Sequence, residues 1–239
     1  MNGILEAVSD VLFPPTCVSC SAVIFTGDRP FCPSCFEEID FISSPLCSCC
    51  GMPFGHEGTM DHLCGECITG RPPFLTARAV GRYRATLLEA IHRFKYGRET
   101  ALGQMLGRMM AAYPFPGFEP GDYSLIIPVP LHEKKLRERG FNQSVVLARE
   151  LSRCYVLPLD FMSLRRLRHT EPQVGLGGKE RETNVRGAFT VKDSKSVKGA
   201  GIILVDDVFT TGSTLRECAR CLMDAGAERV AVLTLARAI

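Results

Sequence analysis

Asp206 and Asp207 stand side by side after an apolar run, Ile202 to Val205, and Val-Phe-Thr210-Thr211-Gly212-Ser213-Thr214 follows them. Leu215 to Ala225 then repeats apolar residues at helical spacing. The order predicts strand, loop and helix, and open α/β sheets bind ligands at that end of a strand. A helix start offers backbone N–H groups and the positive end of a dipole. Thr210, Thr211, Ser213 and Thr214 add hydroxyl donors, and Gly212 lets the backbone come close to a ligand. Such a loop suits a phosphate monoester, and the two carboxylates suit the hydroxyls of a sugar. Ser and Thr are also ordinary helix N-caps. Capping alone does not ask for two acids on a buried strand, where an unpaired carboxylate is costly.

A second chemistry sits near the start. Nine of the 12 cysteines lie between Cys17 and Cys67. They form four Cys-x2-Cys knuckles: Cys17 and Cys20, Cys32 and Cys35, Cys47 and Cys50, Cys64 and Cys67. That spacing suits tetrahedral thiolate coordination of structural zinc. The segment is short and polar, so it needs staples to stay folded. Disulfides are the rival staple, but no export signal is evident and a reducing compartment favours metal. Sequential pairing puts the first four at one site and the last four at another. Interleaved pairing, or one filled site, is the alternative. Cys49 could replace Cys50 or be spare, and His56 and His62 are bystanders beside a full cysteine set.

Other elements must position these groups. Arg71-Pro72-Pro73 divides a cysteine-rich segment, residues 1–70, from a body over 71–239. In the body, Leu75 to Tyr83 and Leu125 to Val129 read as strands. Leu87 to Phe94 and the stretch with Leu102, Leu106, Met109 and Met110 read as helices with core-facing stripes. Phe94 to Arg98 makes a basic, aromatic turn between them. The second strand feeds a basic loop, Leu131 to Ser144, in which Arg137 and Arg139 can bind anions bidentately. A helix through Val145, Ala148 and Leu151 follows. Met162 to Arg168, Gly199 to Val205 and Val230 to Leu235 read as further strands. His169 to Asn184 is a polar, glycine-rich, basic loop of a length that is usually functional or disordered. Cys154 reads as core near a helix end, and Cys218 and Cys221 as small packing residues. Strands alternating with helices predict a parallel α/β sheet.

Charge is uneven. Residues 1–70 carry one base and nine acids, a net of −8, whereas 71–239 carry 27 bases and 17 acids, a net of +10. The body can therefore attract phosphates or nucleic acid. No apolar run reaches the roughly 20 residues that span a bilayer, so the expected location is cytoplasmic. Ile4, Leu5, Val8 and Leu12 make a short amphipathic stretch ended by Pro14 and Pro15, expected to pack on its own domain.

The run from Val205 to Thr214 resembles the phosphoribosyl pyrophosphate (PRPP) signature of type I phosphoribosyltransferases. With the cysteine knuckles, Pro128-Val-Pro-Leu-His132, Arg139-Gly-Phe-Asn-Gln-Ser144 and Arg166-x3-Thr170-x2-Gln173, the chain resembles the competence protein F (ComF) family. The resemblance implies a zinc ribbon joined to a phosphoribosyltransferase-like domain. It also implies a link to natural transformation, in which single-stranded DNA enters the cytoplasm. By it, Pro130, Leu131 and His132 sit near the diphosphate, on a backbone that is often strained. Arg137 and Arg139, with Lys179 or Arg181, are expected to neutralise the leaving pyrophosphate. Asp206 and Asp207 hold the ribose hydroxyls, directly or beside Mg²⁺, and Thr210 to Thr214 hold the 5-phosphate. The expected partners are PRPP or a related sugar phosphate, with single-stranded DNA and DNA-uptake proteins as candidates. Two rival readings stand beside a PRPP-dependent transferase. One is a non-enzymatic module that grips DNA phosphates and stacks bases on Phe94, Tyr96 and Phe141. The other is a regulator that senses PRPP.

Overall fold

In a computed structural model describing residues 14–24, 29–55, 60–168 and 185–239, six strands follow in chain order. They are β1 (Thr76–Arg82), β2 (Leu125–Pro128), β3 (Leu164–Arg166), β4 (Phe189–Val191), β5 (Gly201–Phe209) and β6 (Arg229–Arg237). The helices are α1 (Pro33–Glu37), α2 (Gly65–Thr69), α3 (Ala85–Tyr96), α4 (Thr100–Ala112), α5 (Glu133–Arg139), α6 (Gln143–Tyr155) and α7 (Ser213–Asp224). The amphipathic stretch before Pro14, His56 and the loop carrying Lys179 and Arg181 lie outside the described residues.

Strands β1, β6, β5 and β2 pair in that order, all parallel. The central strands β5 and β6 are buried along nearly their whole length. That explains their apolar runs without alternation, Ile202 to Val205 and Val230 to Leu233, because a sheet covered on both faces needs none. Leu87, Ile91 and Phe94 of α3, Leu106 and Met110 of α4, and Leu147 and Leu151 of α6 join one apolar cluster with Val205 and Leu233. Leu215, Cys218 and Leu222 of α7 join a second with Leu204 and Val232.

The cysteine-rich segment is built into both clusters. Cys17, Phe31 and Cys35 belong to the first, and Cys47, Cys50 and Cys67 to the second. The Ala77 N–H of β1 donates to the Cys49 carbonyl at 2.7 Å. Gly51 takes a φ of +70°, and a Cβ there would meet the Ala77 carbonyl oxygen at 2.3 Å. Only glycine lets the third knuckle lie this close to β1.

Several expectations need correction. Strand β5 does not end at Val205 but runs to Phe209, because its pairing with β6 continues from Asp206–Thr234 to Phe209–Arg237. The acids therefore lie within the strand. The basic stretch after β2 is not all loop, since it folds into α5. Glu133 in the first turn, Arg137 and Arg139 in the last, and Gly140 at φ +82° suit the two ends of a short helix. Met162 to Arg168 yields only three strand residues, and these leave the main sheet to pair antiparallel with β4. Cys154 lies at the end of α6 as expected but is exposed rather than core.

Candidate functional site

The loop after β5 turns on Gly212, whose φ is +76° and whose missing side chain leaves room for the Phe209 ring. Gly212 is also the N-cap of α7, and no side chain caps that helix. The hydroxyls of Thr211 and Ser213 bond to each other at 2.9 Å, and the Ser213 N–H donates a long hydrogen bond to Thr211 Oγ1 at 3.5 Å. Thr210 and Thr211 are exposed, Thr214 is half-buried, and Gly212 and Ser213 are buried. A merely capped helix would spend a Ser or Thr on its first amides. Among the described residues the long bond to Thr211 is the side-chain contact at this helix start, and the amide-rich end keeps most of its partial positive charge.

Asp206 and Asp207 point to opposite sides of β5, as neighbours on a strand must. Asp206 Oδ1 accepts from Ser144 Oγ of α6 at 2.8 Å and from the Asp207 N–H at 2.9 Å. Asp207 Oδ2 pairs with Lys95 Nζ of α3 at 2.9 Å. Among the described residues, each carboxylate keeps its other oxygen without a hydrogen bond. Burial, and then the charge of Asp207, push the Asp206 carboxyl up to about 7. Burial alone would lower Lys95, but Asp207 more than offsets this and holds the ammonium above its ordinary value. Arg166 adds positive charge near Asp206 and lies over the Phe189 ring, 5.3 Å from its centre.

The run from Arg139 to Ser144 has a positioning role that sequence reading missed. Phe141 packs on Phe94 with ring centres 5.4 Å apart. Asn142 caps α6 by accepting the Ser144 N–H at 3.0 Å, and its amide donates to the Val129 carbonyl at 3.0 Å. Ser144 then reaches Asp206. The end of β2 is thus tied to the acid pair on β5 through one helix start. Lys95 was missed as well. Its signal lay in the sequence, since Leu87, Ile91 and position 95 are spaced by four on the face that α3 buries.

The other anion-binding candidates scatter. Pro130, Leu131 and His132 are half-buried. His132 Nδ1 accepts the Lys134 N–H and caps α5. No positive φ or cis peptide occurs there, so the expected backbone strain is absent from these described residues. Pro130 and Leu131 line an apolar cleft of about 330 Å³ with Phe141, Val145, Phe161 and Met162. Arg137 is exposed, and Arg139 lies over the Tyr96 ring, 5.3 Å from its centre. Phe94 is fully buried and cannot stack on a base, whereas Tyr96 is exposed. Ser213 lines a separate cleft of about 390 Å³ with Arg71, Arg186, Arg216, Glu217 and Arg220. Glu217 and Arg220 pair at 2.8 Å, and the other three guanidiniums make no hydrogen bond or ion pair among the described residues.

The cysteines pair sequentially. The sulfurs of Cys17, Cys20, Cys32 and Cys35 lie within 4.8 Å of one another, as do those of Cys47, Cys50, Cys64 and Cys67. Tetrahedral zinc with bonds near 2.3 Å sets sulfurs about 3.8 Å apart. Cys20–Cys32 and Cys50–Cys64 both stand at 3.7 Å. Burial opposes ionisation of Cys47, yet the N–H groups of Cys64, Cys50 and Cys49 bring its thiol down to about 6. Cys17 is brought to about 6 in the same way, against burial, by the N–H groups of Cys20, Cys32 and Ser19. Both groups fit structural zinc. Cys49 stays out, with its thiol toward the Phe74 carbonyl. His62 stacks on Phe54 and is a bystander, as expected.

Comparisons with known proteins agree with both parts. A double zinc ribbon domain matches residues 8–68, and a phosphoribosyl transferase domain matches residues 141–239. Glutamine PRPP amidotransferase from B. subtilis, solved with ADP and GMP, is 22% identical over 59% of this chain and 26% of its own, with a TM-score of 0.38. Competence protein ComFC of Bacillus subtilis (strain 168) is 29% identical, covering 88% of this chain and 85% of that protein. DNA utilization protein YhgH of Escherichia coli (strain K12) is 32% identical, covering 95% and 98%. Among the described residues no helix is long and apolar enough to cross a membrane. Competence protein F of Haemophilus influenzae is 32% identical over 93% of this chain and 96% of its own length, and on that near end-to-end match the chain belongs to the competence protein F family, a double zinc ribbon with a phosphoribosyltransferase-like domain.

Proposed function

We propose that this chain binds PRPP at the end of β5 and serves the handling of incoming DNA in the cytoplasm. The observation that carries the reading is the start of α7, which no side chain caps, beside two acids that each keep one oxygen without a hydrogen bond among the described residues. The 5-phosphate takes the amides and hydroxyls from Thr210 to Thr214. Asp206 and Asp207 accept the ribose hydroxyls. Mg²⁺ suits these hard oxygens and would neutralise the diphosphate it arrives with. Arg137 and Arg139 are the candidates to neutralise the leaving pyrophosphate, with Lys179 or Arg181, which lie outside the described residues. Pro130, Leu131 and His132 bound the same side. Catalysis, where an acceptor is present, is positioning and charge stabilisation. The zinc ribbon of residues 1–70 braces the body of 71–239. The names of the competence and DNA-utilization relatives support the cellular role.

Isothermal titration with PRPP, with and without Mg²⁺, tests the site. Asp206→Asn plus Asp207→Asn should abolish binding while circular dichroism stays unchanged. Equal affinity in a folded double variant rejects the assignment. A pyrophosphate-release assay against bases, amines and DNA then separates a transferase from a sensor that binds without turnover.

A second reading has its own support. The cleft beside Ser213 carries Arg71, Arg186 and Arg216, none with an ion-pair partner among the described residues, and the body has a net charge of +10 (27 bases, 17 acids). Single-stranded DNA would lay its phosphates there, with Tyr96 the exposed aromatic. Counterion release makes such binding steeply salt-dependent. Oligonucleotide affinity that is flat between low and high salt, or unchanged in an Arg71→Ala/Arg216→Ala variant, excludes it.

A further inference from the structure

Arg237, the last residue of β6, is buried, and among the described residues no carboxylate pairs with it. Its Nη1 donates to the Cys50 carbonyl at 2.7 Å, and its Nη2 lies 3.8 Å from Cys50 Sγ. The guanidinium also lies over the Phe209 ring, 4.1 Å from its centre. That ring is the surface on which Gly212 rests, since a Cβ at Gly212 would meet Phe209 Cζ at 2.6 Å. An unbroken line of contacts therefore runs from the second cysteine site through one cation and one ring to the loop of Thr210 to Thr214.

The charge balance gives this line a direction. A buried cation without a counter-charge is costly. The counter-charge at hand is the second cysteine site, because four thiolates around Zn²⁺ carry a net charge of about −2. With zinc bound, Arg237 is held flat over Phe209 by charge and by its hydrogen bonds. When the metal leaves, the guanidinium loses this counter-charge and the ring loses its clamp.

We propose that Arg237 is a positioning residue through which zinc at the Cys47, Cys50, Cys64 and Cys67 site sets the geometry, and hence the phosphate affinity, of the loop after β5. The affinity part rests on reading that loop as a sugar-phosphate site. The geometric part does not. Arg237 needs no contact with the ligand, because it acts through Phe209 and Gly212.

Full-length wild type, Arg237→Ala and Arg237→Lys are loaded with zinc. Three readouts are taken: zinc release to a chromogenic chelator, amide hydrogen exchange over Phe209 to Thr214, and titration with ribose 5-phosphate. In Arg237→Ala, one of two zinc equivalents should leave at least tenfold faster. Its loop should exchange faster with both metals still bound, and ribose 5-phosphate should bind at least tenfold more weakly. Arg237→Lys should restore zinc retention, because it keeps the charge. It should restore the loop only in part, because it lacks the flat fork over the ring. Wild-type loop exchange in zinc-loaded Arg237→Ala overturns the proposal. So does chelation of wild type that leaves loop exchange unchanged, and this arm decides the matter if Arg237→Ala does not fold. If wild type does not bind ribose 5-phosphate at all, the sugar-phosphate reading fails, and loop exchange still decides the coupling.

Discussion

Lys95 Nζ lies 2.9 Å from Asp207 Oδ2, with both side chains largely buried. The pair joins the last turn of α3 to the strand that carries the acid pair. It gives Asp207 a counter-charge at a place where burying an unpaired carboxylate is costly. Burial first, and then the charge of Asp207, raise the neighbouring Asp206 carboxyl.

Removing only the cation should therefore be severe. Lys95→Met strands a buried carboxylate, and breaking a buried pair from one side costs about 3–5 kcal/mol. Lys95→Met with Asp207→Leu removes both charges and should recover most of that loss. Urea unfolding of the two variants checks this. Wild-type stability in Lys95→Met would mean that Asp207 finds another partner.

Asp206 makes stability depend on pH. Its folded value of about 7 lies above the ordinary aspartate value of about 4. Between those limits the folded state holds a proton that the unfolded state has released. The contribution of this group is thus fully present below about pH 4 and is lost as pH rises through about 7. Melting temperatures of Asp206→Asn should lack that decline between pH 4 and 7. Ribose 5-phosphate affinity should show the opposite trend in wild type, rising through pH 7 as Asp206 becomes a full acceptor. A pH profile in Asp206→Asn identical to wild type would assign the titration to another group.

Local chemistry was legible in the sequence, while long-range neighbours were not. The knuckles, the acid pair and the phosphate-type loop each lie within a few residues, so their spacing fixes their geometry. The end of β5 was misread because carboxylates usually mark a strand's exit, whereas here pairing to β6 carries the strand through them to Phe209. α5 was hidden in a run of charges that reads as solvated loop, yet those charges are arranged to suit helix ends. Ser144 and Arg237 meet Asp206 and Cys50 across 62 and 187 residues of chain. No periodicity encodes such contacts, since they come from the order of strands in the sheet.

Two zinc ions per chain should be measured by elemental analysis, because two separate sets of four sulfurs converge. Cys50→Ser should lower the count to one. Cys49→Ser should leave it at two, since the Cys49 thiol points at a carbonyl. Structural zinc contributes about 10–16 kcal/mol in isolated fingers. Chelation should therefore lower the melting temperature well beyond the effect of a surface substitution. A loss of zinc in Cys49→Ser would place that residue among the ligands.

Gly212→Ala tests the loop most directly. A φ of +76° is unfavourable for alanine, and its Cβ would press on the Phe209 ring at 2.6 Å. Backbone strain of this kind costs about 1–3 kcal/mol, so stability should fall by that order. The loop must also shift away from the ring, which moves its open amides relative to Asp206 and Asp207. Ribose 5-phosphate affinity should then drop further than the stability loss alone would cause. If Gly212→Ala binds ribose 5-phosphate as wild type does, the amides of this loop do not hold the phosphate.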